Sequence, residues 1–144
     1  MEAHIPEITN VIQLAVAPVF MLTAVGTIIA ALNVRLGRAV DRRRVLEQGL
    51  QVRSGAQNDD ARAELAQIAR RIRYVYLSIV FSVLSGLFVC LLIAGAFIGA
   101  FVAMDLTRTV AALFVLAVAC LTVSLLLFLR EIFLAVSTPR HIPK

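Results

Sequence analysis

Three stretches of this chain, residues 8–34, 74–103 and 109–129, contain no Asp, Glu, His, Lys or Arg. Each reaches the ~20 residues that an apolar helix needs to cross the hydrocarbon of a bilayer. A backbone in lipid must satisfy its own hydrogen bonds, so a helix is the form each stretch can take there. Composition points the same way. The chain is 60% hydrophobic and 16% charged, with a mean hydropathy of +0.91. Soluble domains are about half apolar and about a quarter charged. The expected fold class is an all-α integral membrane protein with three transmembrane helices. Pro18 lies inside the first stretch and lacks a backbone donor, so a kink or loosened turn is expected in helix 1.

Residues 35–73 separate the first two stretches and are polar. Ten arginines and five carboxylates lie there, and their balance equals the net charge of +5 for the whole chain. The high isoelectric point, near 10.2, therefore reflects the flank of a membrane helix, and nucleic acid is not the expected partner. Lys and Arg number none before the first stretch, ten in this segment, one in the 104–108 connection and three after Leu129. The positive-inside rule then puts the amino terminus outside and the carboxyl terminus in the cytosol.

The polar segment has helical periodicity of its own. Leu36, Ala39, Val40, Leu46 and Leu50 recur at helical spacing, and no strong breaker precedes Ser54-Gly55. Ala61, Leu65, Ile68, Ile72 and Val75 alternate steps of four and three, a short coiled-coil-like seam. Helices 1 and 2 are thus expected to run on beyond the membrane as a cytosolic antiparallel α-hairpin, turning at 54–58. The expected order is an outer tail (1–7), helix 1 (8–34), the basic hairpin (35–73) and helix 2 (74–103). An outer loop (104–108), helix 3 (109–129) and a cytosolic tail (130–144) follow.

Within the hairpin, Arg35, Arg38 and Arg42 share one face at i, i+3 and i+7. Arg43 and Arg44 follow, and Arg70, Arg71 and Arg73 close the segment. One reading of this cluster is a topology signal in contact with anionic lipid headgroups. Another is a surface for a cytosolic protein partner. Asp41 is a carboxylate within a run of five arginines, which suggests an ion pair. Its candidates are Arg38 and Arg44 along the helix, or Arg70, Arg71 and Arg73 across the hairpin.

In the second span Ser78, Ser82, Gly86, Cys90 and Ala94 recur every four residues, followed by Gly95 and Gly99 in a GxxxG pattern. Small residues at this interval let helix backbones approach closely. The row serves either self-association into a homo-oligomer or packing against spans one and three.

Two sequence patterns carry a resemblance. The first runs Gln13-Leu14-Ala15-Val16-Ala17-Pro18-Val19-Phe20-Met21-Leu22. The second is Asn33-Val34-Arg35-Leu36-Gly37-Arg38-Ala39-Val40-Asp41-Arg42, and Arg70-Arg71-Ile72-Arg73 adds to it. Together they resemble a family of small bacterial membrane proteins of unknown function. That family has a QLALAPVFLL-like first span, an NRLARIVDR-like exit and an RRI segment before span two. The likeness covers roughly residues 8–130 and departs at Gly37, where alanine is commoner, and at Arg44, a third consecutive arginine. It implies three spans in a bacterial cell (inner) membrane and carries no activity.

The residues themselves argue against chemistry. Catalysis in the membrane would need a nucleophile beside a base, or carboxylates and histidines at one depth. Ser78, Ser82, Ser85 and Ser124 have no base within the apolar stretches, and Cys90 and Cys120 are read as apolar filler. No cofactor or metal site is expected. A proton-coupled transporter would need an intramembrane ionisable group, which the stretches lack. The expected function is a non-enzymatic, oligomeric scaffold or interaction protein. The alternative is a homo-oligomeric ion channel lined by Asn10, Gln13, Thr23, Thr27 or the span-two serines, with arginines 35, 38 and 42 ringing its cytosolic mouth.

Overall fold

The computed structural model, which describes residues 5–50, 57–102 and 105–136, makes each apolar stretch part of one long helix. Helices α1 (Ile5–Leu50) and α2 (Gln57–Val102) have 46 residues each, and α3 (Thr107–Val136) has 30. Residues 54–56 of the expected turn lie outside the described residues, as do 1–4, 103–104 and the tail 137–144. At 1.5 Å per residue α1 and α2 are roughly 69 Å long and α3 roughly 45 Å, against a hydrocarbon layer of ~30 Å. All three are long and apolar enough to cross a membrane, with best windows of mean hydropathy 2.2, 2.6 and 2.8. The chain is a multi-pass membrane protein, all-helical among the described residues.

The end of the third helix differs from the sequence reading. Helix α3 does not stop at Arg130-Glu131 but continues to Val136. Arg and Glu are good helix formers, and nothing breaks the pattern before Pro139. Helix α1 continues through Pro18, which is buried. Its missing N–H removes one rung of the ladder while the flanking turns hold.

Each helix buries residues in columns of seven-residue steps. In α1 the column is Pro18, Val25 and Leu32; in α3 it is Ala117, Ser124 and Glu131. Helix α2 buries two: Ala61, Ile68, Val75, Ser82 and Val89, and beside them Ser78, Ser85 and Leu92. A seven-residue step is nearly two turns, so such a column stays on one side for the length of a helix. The double column makes α2 the middle element. α1 and α3 each pack along it and scarcely touch one another. Leu65 and Ile72, read as part of the seam, are half-buried at its margin.

Gly86 of α2 faces α1 with room for a methyl group in ordinary van der Waals contact. A Cβ there would stand 3.5 Å from Val25 Cγ1 and 4.0 Å from Leu22 Cδ2. At the opposite end of the bundle, Asp105 sets the start of α3 by accepting a hydrogen bond from the Thr107 N–H (3.1 Å). The Thr107 side chain first, then its backbone N–H, hold the Asp105 carboxyl below the ordinary carboxylate range.

Candidate functional site

Where the three apolar spans end at their basic side, one carboxylate gathers a residue from each helix. Glu131 of α3 is only 2% exposed. Its Oε2 accepts from Arg35 Nη1 of α1 at 2.8 Å, and its Oε1 accepts from Arg71 of α2 through Nη2 (2.9 Å) and Nε (3.3 Å). Each arginine therefore holds one oxygen. Arg35 also lies over the ring of Phe128, 5.0 Å from its centroid, a cation–π contact that fixes its direction. Arg35 directly follows the charge-free stretch of α1, and Arg71 precedes that of α2 by only Ile72 and Arg73, so the clamp lies at a polar–apolar boundary.

Charge-assisted bonds of this kind are about twice as strong as neutral ones. Burying the carboxylate has a desolvation cost that two guanidinium groups together offset. The cluster keeps one unit of positive charge in excess.

Beside the clamp is a pocket of about 260 Å³, lined by Arg35, Arg38, Ala39, Arg42, Ile68, Arg71 and Glu131. The shared face expected of Arg35, Arg38 and Arg42 is the α1 wall of this pocket. Arg42 reaches across to Glu64 of α2, with Nη2 at 2.8 Å and Nε at 3.2 Å from Oε1. Arg43 bonds Glu47 one turn along at 2.7 Å.

The pairing expected of Asp41 is corrected. Asp41 is exposed and forms no ion pair among the described residues; nor do Arg38, Arg44, Arg70 or Arg73, also exposed. Arg71 turns to Glu131, and Arg42 with Glu64 makes the link between the polar halves of α1 and α2. An exposed carboxylate gains little from a neighbour that water already screens. The same reasoning bounds the Arg42–Glu64 pair, whose side chains are 59% and 41% exposed. Glu64→Gln is expected to shift stability by about 0.5–1 kcal/mol, and Asp41→Ala by less, in thermal melts of the purified protein.

About 10 Å further into the apolar region, one heptad from the clamp on both α2 and α3, lies a serine clasp. Ser78 Oγ donates to the Ser124 carbonyl and Ser124 Oγ to the Ser78 carbonyl, both at 2.7 Å. Ser82 Oγ and Ser124 Oγ are 2.7 Å apart, and Ser85 Oγ donates to the Ala117 carbonyl at 2.7 Å. All four serines are fully buried, so the span-two serines face α3 and cannot line a pore in this arrangement. Thr23 and Thr27 are exposed but donate to carbonyls of their own helix, at 3.4 Å and 3.0 Å.

The small-residue row of α2 does not form one face. A step of four overshoots a full turn by about 40°, so Ser78 to Ala94 sweeps about 160° around the helix. Ser78 and Ser82 meet α3, Gly86 meets α1, and Cys90 and Ala94 are exposed. Gly95 faces Val110 of α3, 3.8 Å from its notional Cβ. With Gly99 it lines a mostly apolar cleft of about 830 Å³ among the Asp105-side ends of all three helices.

Glu131 is hard to single out from sequence because Arg130-Glu131 reads as the charged end of span three. The signal was there in the seven-residue column Ala117, Ser124, Glu131, which puts the carboxylate on the face that carries the buried serine. Among the described residues, no group of His, Cys, Asp and Glu is placed to hold a metal ion.

A family model described as protein of unknown function, DUF2721, matches residues 15–141. No curated protein and no solved structure is significantly similar to the chain.

Proposed function

The chain belongs to the DUF2721 family, and we propose that it is a non-enzymatic, self-associating scaffold of a bacterial inner membrane. In this reading its amino terminus is outside and its carboxyl terminus cytosolic, the orientation that the ten arginines between spans one and two favour. The polar halves of α1 and α2 form a cytosolic antiparallel hairpin, with the Arg42–Glu64 bond in support. From Arg35 to Leu50 it projects about 24 Å from the headgroups. There it meets anionic lipid and offers a basic surface to a cytosolic protein.

The observation that carries the reading is the uncovered side of α2. Although it is the middle helix, it leaves Tyr76, Val80, Val83, Leu87, Cys90, Ala94, Ile98 and Phe101 exposed. These fall within an arc of about 80° and recur at about 3.6 residues, so they form one continuous apolar face along the span. Cys90 and Ala94 are small, which admits a second backbone closely at mid-span. The buried hydroxyls and Glu131 are already engaged inside one chain, which leaves the α2 face and the hairpin as the surfaces for partners.

Cysteine crosslinking tests this. With Cys120→Ser leaving Cys90 alone, mild oxidation of intact membranes is expected to trap a dimer. A control with Cys90→Ser, Cys120→Ser and Ala112→Cys carries its thiol at matching depth on the exposed side of α3, and should give several-fold less. Equal yields, or monomer from both, would overturn self-association through α2.

A further inference from the structure

We propose that the arginine pocket beside Glu131 binds a phosphate group, either that of a phospholipid headgroup or a free phosphate. Four guanidinium groups line it, and its one lining carboxylate is Glu131. Both Glu131 oxygens are already engaged by Arg35 and Arg71, so the carboxylate serves to aim two arginines and leaves the pocket positive. Glu64, bonded to Arg42 outside the lining, reduces that excess without cancelling it.

The arginines retain donors. A guanidinium has five N–H groups in a fixed fork that matches phosphate oxygens in pairs. Arg35 gives Glu131 one bond, and Arg71 gives it two from one edge. Arg38 has no ion-pair partner among the described residues and lines the same cavity. Because Glu131 and Phe128 hold Arg35 in place, much of the ordering that binding would require of it is already done.

Residue choice separates this from a topology signal. Lysine serves the positive-inside rule as well as arginine does, yet all ten basic residues of 35–73 are arginine and the chain's lysine is Lys144. Arginine is the residue for paired recognition of phosphate. The pocket also opens at the boundary where the apolar spans give way to charge, the level of lipid phosphates. At about 260 Å³ it lies just under the range of drug-sized sites, which suits a small polyatomic anion. Only the choice of leaflet rests on the orientation proposed above.

The test uses the full chain, purified and delipidated in detergent, with binding read by native mass spectrometry and by thermal shift. The probes are phosphatidic acid, phosphatidylglycerol, phosphatidylcholine and, separately, inorganic phosphate. The wild type is expected to hold at least one phosphate-bearing anion about tenfold more tightly than Arg38→Gln/Arg42→Gln does. Arg43→Gln/Arg44→Gln removes the same charge outside the pocket and should bind as the wild type does. Preference for the two anionic lipids over phosphatidylcholine assigns a headgroup; protection by inorganic phosphate alone assigns a soluble source. Equal weakening by both double variants would reduce the effect to general basic attraction and overturn the pocket, as would no binding by any probe. Cys90 crosslinking in membranes is read separately, so either idea can fail alone.

Discussion

Glu131→Leu is expected to lower the stability of the three-helix unit by about 3 kcal/mol, as large an effect as any single change here. Breaking a buried ion pair by removing one partner costs about 3–5 kcal/mol, because the other charge is stranded. The lower end applies because Arg35 and Arg71 are 42% and 32% exposed and can turn toward water. The midpoint of unfolding in mixed micelles reads the loss. The informative comparison is the triple variant Arg35→Leu/Arg71→Leu/Glu131→Leu, which strands no charge. Apolar replacements of whole buried ion clusters are often neutral or better, so the triple should lie within about 1 kcal/mol of the wild type. A triple variant as unstable as Glu131→Leu would mean that the glutamate matters by its shape and packing.

Ser124 carries the second large effect, and two substitutions divide its causes. Ser124→Ala removes one donation to the Ser78 carbonyl and the hydroxyl that faces Ser82 and Ser78. The Ser124 carbonyl still accepts from Ser78. Interhelical hydrogen bonds in membranes contribute about 0.6 kcal/mol on average and about 1.7 at most, so alanine should cost about 1–2 kcal/mol. Ser124→Leu adds bulk at a position with no exposed surface. Overpacking contributes a further ~1–3 kcal/mol, for a total near 3 kcal/mol, and drives α3 away from α2. If leucine proves no worse than alanine, the α2–α3 interface is looser than the reciprocal 2.7 Å bonds imply.

The parts of this fold that were legible in the sequence are those governed by local rules. Absence of charge from 8–34, 74–103 and 109–129 marks the spans because hydrocarbon excludes charge whatever the tertiary arrangement. The overshoot of α1 and α2 was readable because no breaker interrupts residues 33–50. The site was less legible because it depends on which residues meet across helices. Asp41 drew attention by lying among arginines in the chain, yet nearness on one exposed helix face brings it no partner. Glu131 meets Arg35 from 96 residues away and Arg71 from 60, and no local pattern states that register. The small-residue row misled for a geometric reason. A step of four looks regular in print but winds around α2, whereas steps of seven stay in place.

The Glu131 clamp also has a place in time. A chain is synthesised from its amino end, and at about 5–20 residues per second Glu131 follows Arg35, which is 96 positions earlier, by about 5–20 s. During that interval α1 and α2 can align through Val25, Leu22 and Gly86, while Arg35 and Arg71 still lack the carboxylate they share. The last helix brings it, along with Ser124 for the serines that α2 already presents. A chain that ends short of Glu131 leaves two arginines unneutralised at the edge of the apolar region, so the clamp distinguishes a finished molecule from an unfinished one.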